Sequence, residues 1–350
     1  MLTDDTYNLD ETIQQEQTSE YMVNPQEELA WEHFNPIGSA EYEQANKERI
    51  ADGKVQIVNI GDDDKSITLV ASIKIDPDTG QVVSGHESRP EAESMRDTEA
   101  AFADYIAITP PERRCVIYEG DERLFTDRDE AITQATDSGL IQHLANKENV
   151  PAIPGEPTES EVVAVMEQLG VSREELLALY VARGLEAQVS SGETDFLAGY
   201  INHHAATLGI DGFHTFSEAE KQEIIESGKF DELKVELNNK VAQILPSLNK
   251  LYKPILDNKD LLVLADGKVA INPEFADDIS EITVDKLNWS GEHRLNEVAK
   301  LSMEMRDRVI FNHILEAYNS GKSPFVVYGG SHVVTLEPAL KAYVSSTSQS

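Results

Sequence analysis

The sequence predicts an α/β fold: a central, mostly parallel or mixed sheet flanked by helices, with a helical insertion and a β-hairpin region near the start. Three observations carry this. Short, continuously apolar runs such as "CVIYEG" and "FVVYGG" read as strands buried on both faces. Segments with 3.6-residue apolar spacing separate them. Four of the apolar runs finish with a glycine and a histidine or glutamate within two residues.

In chain order, residues 1–50 are acidic and Gln-rich, with helical spacing only in "EELAWEHF", and read as a loosely attached extension. A single α/β domain is expected over 51–342. It opens with the β-runs "KVQIVNI", "SITLVASIKI" and "QVV", separated by "GDDDK" and "DPDTG" in hairpin fashion. "DPDTG" lacks the terminal acidic ligand of a calcium loop, so it reads as a turn. From Pro90 the chain becomes helical, then enters "CVIYEG". Capping boxes at Thr158/Glu161 and Ser172/Glu175 open a helical insertion over about 158–300, interrupted by a hairpin at "LLVLADGKVAI". A strong helix over about 293–319, stopped by Gly321 and Pro324, delivers the chain into "FVVYGGSH". Residues 343–350 read as a polar tail.

Composition sets limits on partners. The 350 residues are 40% hydrophobic, and 29 Lys+Arg against 64 Asp+Glu give a net charge of -35. That excludes nucleic acid or an anionic membrane as a direct partner, because both require a basic footprint. It leaves a small-molecule or peptide substrate. The lone Cys115 excludes an intramolecular disulfide and a cysteine-cluster metal site. No run approaches the roughly 20 apolar residues of a membrane helix, and the first residues lack a signal-peptide pattern, so a cytoplasmic setting is expected.

Ligands of open parallel sheets bind outside the carboxyl ends of the strands. The four run ends would place His86 and Glu87, Glu119, Glu156 and His332 at one edge, with Gly85, Gly120, Gly329 and Gly330 as turns that open the pocket. Two arginines join them. Arg306 shares a helical face with Ala299, Val309, Ile310 and His313, and Arg183 shares one with Leu176, Leu179 and Tyr180. An inward arginine needs a carboxylate or an anionic ligand, so each is either a structural salt bridge or a site residue. His203 and His204 are adjacent on a helix, point about 100° apart, and read as helix surface.

At these residues the chain resembles the superfamily that joins TraB/PrgY proteins, the TIKI metalloproteases, erythromycin esterases and ChaN-like proteins. The closing motif of that superfamily is an arginine early in a helix, then an apolar strand ending in a Gly-x-x-His or Gly-x-Ser-His box. Arg306 with Asp307, and Gly329 through His332, match it. The upstream half is matched by His86 in "SGHESRPEAESM" and Glu119 in "VIYEG". Val83 stands at the glycine position of the first box, which brings Glu87 into consideration beside His86. The match spans about 75–160 and 295–340.

The resemblance implies a hydrolase. In one form His86, Glu119 and His332 hold a divalent metal ion whose water loses its proton to Glu87 or Glu156, with Arg306 facing the oxyanion. In another form a histidine held by a glutamate is itself the base. TIKI-like relatives imply a peptide substrate and esterase-like relatives an ester. ChaN-like relatives imply the other class, a haem- or iron-binding protein, with Tyr118 and Tyr328 beside the site. A non-catalytic binding domain is the third reading.

Overall fold

The computed structural model describes residues 30–36, 39–51, 55–62, 65–75, 82–83, 87–120, 122–190, 197–275, 279, 282, 286 and 291–347. Its centre is a five-stranded sheet built from β1 (Gln56–Gly61), β2 (Ser66–Ser72), β5 (Arg114–Tyr118), β6 (Ala152–Pro154) and β9 (Ser323–Gly329). The order across the sheet is β1-β2-β9-β5-β6. β1 and β2 form the expected antiparallel hairpin, and every other pairing is parallel. The expected α/β class is therefore the observed one.

Side chains alternate across the sheet as strand geometry requires. Along β9, Val326 and Tyr328 face one layer while Phe325 and Val327 face the other. The first layer is formed by helices α9 (Arg294–Asn319) and α10 (Gly330–Thr347), through residues such as Ile310, Phe311, Val333 and Leu340. The second is formed by α2 (Glu93–Ile108) and α3 (Arg128–Lys147), through Phe102, Tyr105 and Ile141. Cys115 is buried within the first layer, where burial pushes its thiol up to about 11.

The insertion has a core of its own. It comprises α4 (Glu159–Gln168), α5 (Arg173–Ser190), α6 (Leu197–Thr207), α7 (Glu218–Ser227), α8 (Phe230–Tyr252) and the hairpin of β7 (Leu262–Ala265) with β8 (Lys268–Ile271). Leu176, Leu179, Ile201, Val241, Leu248 and Tyr252 are fully enclosed there. Both capping boxes form as expected. Thr158 and Glu161 exchange backbone-to-side-chain bonds, and so do Ser172 and Glu175.

Three expectations change. "QVV" does not add a strand to the main sheet: β3 (Lys74–Ile75) and β4 (Val82–Val83) make a separate two-stranded ribbon. A run that short cannot cross a sheet whose central position β9 already fills. Residues 1–50 are not loose throughout. Trp31 stacks on Phe34 and meets Phe311 edge-on, and Asn35 donates its N–H to the Thr335 carbonyl. Tyr42, on α1 (Ala40–Ala51), is buried against Met303 and Val334. Aromatic anchors outweigh the acidic composition of this segment, while residues 1–29 lie outside the described set. Finally, the expected tail at 343–350 is helical as far as Thr347, with Tyr343 and Val344 in the core.

No helix among the described residues is long and apolar enough to cross a membrane.

Candidate functional site

Three parallel strands, β5, β6 and β9, end side by side, and each delivers one titratable residue. Glu119 follows β5 directly, and Glu156 follows β6 by way of Gly155. β9 runs straight into α10, whose first turn carries His332. One oxygen of Glu119, one of Glu156 and one ring nitrogen of His332 lie within 4.8 Å of one another.

Arg306 clamps the carboxylates. Its Nε donates to Glu156 Oε2 and its Nη2 to Glu156 Oε1, both at 2.8 Å, the bidentate geometry that suits a guanidinium. Nη2 also lies 3.7 Å from Glu119 Oε1. Burial disfavours the guanidinium charge, but the bonds and charge of Glu156 outweigh it and raise the Arg306 pKa. Glu119 is held from the other side by the Gly329 N–H, which donates to Oε2 at 3.0 Å. Among the described residues the third nitrogen, Nη1, has only the Met303 sulfur, at 3.9 Å.

Next to Arg306 in the chain, Asp307 is fully buried and lies 2.5 Å from His332 Nδ1 through its Oδ1. His332 is only 3% exposed. Burial lowers its pKa, but the hydrogen bond and charge of Asp307 win and the net shift is upward. Burial raises Asp307, with His332 and Arg306 acting against that rise. Asp307 fixes the ring so that Nδ1 faces it and Nε2 is left for a proton or an ion.

A glycine lets the chain just after β6 pass against the Tyr328 side chain, which reaches across from β9. A Cβ on Gly155 would stand 2.1 Å from the Tyr328 hydroxyl and 2.7 Å from Ile117 Cγ2. The Gly155 carbonyl also meets His313 Nδ1 at 3.2 Å, which ties β6 to α9 one residue before Glu156. Tyr118 and Tyr328 are sealed in the sheet, with 1% and 0% of their surface exposed.

Of the residues expected at this edge, Glu119, Glu156, His332 and Arg306 come together. Glu87 does not join them: its carboxylate is buried against Arg89, which donates Nη2 at 2.7 Å and Nε at 2.9 Å and holds the Glu87 pKa down. An arginine two residues away captured it before the sheet edge could. Gly85 and His86 lie outside the described residues. Gly120 has the positive φ of 96° expected of a turn. Gly329 and Gly330 form no left-handed turn: neither has a positive φ, and β9 passes directly into α10. A Cβ on Gly330 would meet only the Ser72 carbonyl at an ordinary 3.5 Å.

Arg183 is partly buried on α5 and forms no hydrogen bond or ion pair among the described residues. Burial, followed by the positive charge of Arg306, pushes it down to about 10. Its guanidinium therefore borders the same cluster without a carboxylate of its own. His204 is a packed helix residue whose pKa burial lowers to about 4.

The motif match had singled out Asp307 only as the neighbour of Arg306. The signal for its role was present: an acid inside "MRDRVIF" sits on a helix that is buried on most sides and must find a partner. Gly155 carried no such signal, because only the fold brings Tyr328 against it. Comparison of the chain with protein-family models, with curated proteins and with solved structures finds no match.

Proposed function

We propose that the protein is a hydrolase that activates water at the Glu119–Glu156–His332 cluster and cleaves an ester or peptide bond. The observation that carries this reading is the buried Asp307–His332 pair at the carboxyl edge of the sheet. A histidine enclosed to this degree, with one nitrogen committed to a carboxylate, has the arrangement of a general base. The resemblance of the stretch from Arg306 to His332 to the TraB/TIKI/erythromycin-esterase group points the same way.

In this reading His332 Nε2 takes a proton from water as the water oxygen attacks the carbonyl carbon. The developing oxyanion faces Arg306, whose Nη1 retains donor capacity while its other two nitrogens hold Glu156. The proton on His332 then passes to the departing alkoxide or amine as its bond to the acyl carbon breaks. Asp307 keeps the ring oriented and stabilises the imidazolium. A cytoplasmic setting belongs to the same proposal, supported by the single buried thiol.

A second form is favoured by the charge of the cluster. Three carboxylates, Glu119, Glu156 and Asp307, outnumber the two guanidinium groups at the cluster, those of Arg306 and Arg183, so a cation is electrostatically welcome. The donor set of one imidazole and two carboxylates suits a divalent ion, with Asp307 behind the imidazole as its orienting partner. Glu156 would have to share itself with Arg306, which makes His332 and Glu119 the principal ligands. A bound ion would lower the pKa of its water toward neutrality.

The test is hydrolysis of a panel of ester and peptide substrates by protein purified without a histidine tag, assayed after metal removal and with added zinc, manganese or magnesium. Wild type is expected to exceed H332N by at least about a hundredfold, the usual range for a general base. Equal rates for the two under every metal condition overturn the hydrolase. Activity that survives metal removal and is lost in H332N selects the metal-free form. Activity restored only by an ion, with E119Q failing to respond, selects the other.

A further inference from the structure

A cavity of about 250 Å³ opens beside the cluster and shares Glu119 with it. Its other walls include Arg123, Thr136, Ser138 and Gln142. They come from the loop after β5 and from a break in α3. At Ala135 the backbone leaves the helix (φ -142°, ψ 22°), and at Thr136 it reaches φ 58°, ψ -145°. A positive φ is rare for a β-branched residue, and the other non-glycine residues with one among the described residues are Asn or Asp. Gly139 accommodates the break: a Cβ there would fall 2.1 Å from the Ala131 carbonyl oxygen.

The break starts a second helical segment of more than eight residues, running to Lys147, with its first turn on the cavity wall. Helix starts present N–H groups and favour anions. A helix start alone does not make a site, but two further groups stand on this wall. Ser138 is only 6% exposed, and its hydroxyl has no hydrogen-bond partner among the described residues. Arg123 is exposed, has no carboxylate partner among the described residues, and donates Nη1 only to the Gln134 carbonyl at 3.5 Å. Gln142 accepts the Arg123 N–H at 2.7 Å and so fixes that loop on the second segment of α3.

We infer that this cavity binds the anionic group, a carboxylate or a phosphate, of a small ligand. Arg123, Ser138 and the new helix start supply the donors. Glu119, which the cavity shares with the cluster, repels the anion and so orients the ligand with its neutral portion toward His332. The volume is below the usual range for drug-sized ligands, which limits the ligand to a small acid. That this ligand is the substrate rests on the hydrolase reading above; that the cavity holds an anion does not.

Titration of the full chain with inorganic phosphate and, separately, acetate, at constant ionic strength set with chloride, tests the site. Binding is followed by calorimetry and by amide shifts of residues 136–139. Saturable binding of at least one anion is expected, with R123Q weakening it about tenfold or more and S138A about threefold, as loss of charge-assisted and neutral hydrogen bonds implies. H332N should bind within about twofold of wild type. No saturable binding of either anion, or binding that R123Q leaves unchanged, overturns the inference. Anion binding that follows Arg123 and Ser138 in a protein that hydrolyses nothing upholds the site and removes the hydrolase. The stronger of the two anions identifies the class of acid.

Discussion

Asp307 Oδ1 and His332 Nδ1 lie 2.5 Å apart although they belong to different helices, the one that leads into β9 and the one that leaves it. Both are enclosed, so the hydrogen bond between them joins those two helices away from water at the sheet edge. The first two predictions concern this edge.

Replacing Asp307 with Asn should lower hydrolysis by about three to four orders of magnitude, the cost of presenting the wrong tautomer in related triads. The pair also sets a pH dependence. The His332 pKa is raised in the folded chain, so the protonated ring stabilises the fold fully below the ordinary histidine value of about 6.5. That contribution fades as pH rises through the folded pKa. Activity that needs the free base should rise over the same window. Melting curves and rate profiles against pH should move in opposite directions, and in D307N the rate profile should shift to lower pH. A rate profile unmoved by D307N contradicts the assignment of base.

The Arg306–Glu156 clamp should cost about 2–3 kcal/mol when either partner alone is neutralised, less than the full penalty of a sealed ion pair because both side chains retain some exposure (27% and 17%). The double variant R306M/E156Q should recover part of that loss in denaturant unfolding, because no charge is then left unpaired. R306K should behave nearly as badly as R306M, since a lysine cannot make the bidentate contact. Additive losses in the double variant contradict the clamp.

Gly155→Ala should destabilise by about 1–3 kcal/mol through overpacking against the Tyr328 hydroxyl. Y328F in that background should restore much of the loss by removing the atom the new methyl strikes. Alone, Y328F should be neutral or slightly stabilising, because the Tyr328 hydroxyl is buried and has no hydrogen-bond partner among the described residues. Thermal melts of the three variants decide this.

Trp31→Ala should lower stability by about 2 kcal/mol, below the 3–5 typical of a fully enclosed aromatic, because Trp31 is only partly buried. Its contacts with Phe34, Phe311 and the Arg308 guanidinium are all lost at once. A melt unchanged from wild type would show that residues 30–36 are as loosely held as their composition suggests.

Much of the site was legible because period and punctuation are local. "CVIYEG" and "FVVYGG" could be read as strands from their apolar runs, and the residue after each run then had to lie at the sheet edge. Arg306 followed from helical spacing alone. The failures are of another kind. Glu87 was assigned to the edge without account of Arg89, two residues on, which neutralises it. Gly329 and Gly330 suggested a turn, yet "SHVVTLEPAL" continues as helix from Gly330, so G330A should be tolerated rather than harmful. The docking of Trp31 depends on Phe311, nearly three hundred residues away, and no local pattern announces a contact of that range.

The position of β9 bears on how the chain is made. Although it is the last in sequence of the described strands, β9 lies between β2 and β5 and pairs with both. During synthesis the N-terminal hairpin and the β5–β6 pair therefore emerge long before the strand that joins them, each with an open edge. The insertion, whose core is drawn largely from residues 162–309, is complete before residue 323 appears and is free to condense early. Assembly of the sheet, and with it of every group at the candidate site, must wait for Ser323–Gly329 and the helix that follows it. A ribosome stalled before them holds two half-sheets with exposed edges, so premature termination should yield aggregating fragments rather than a smaller working protein.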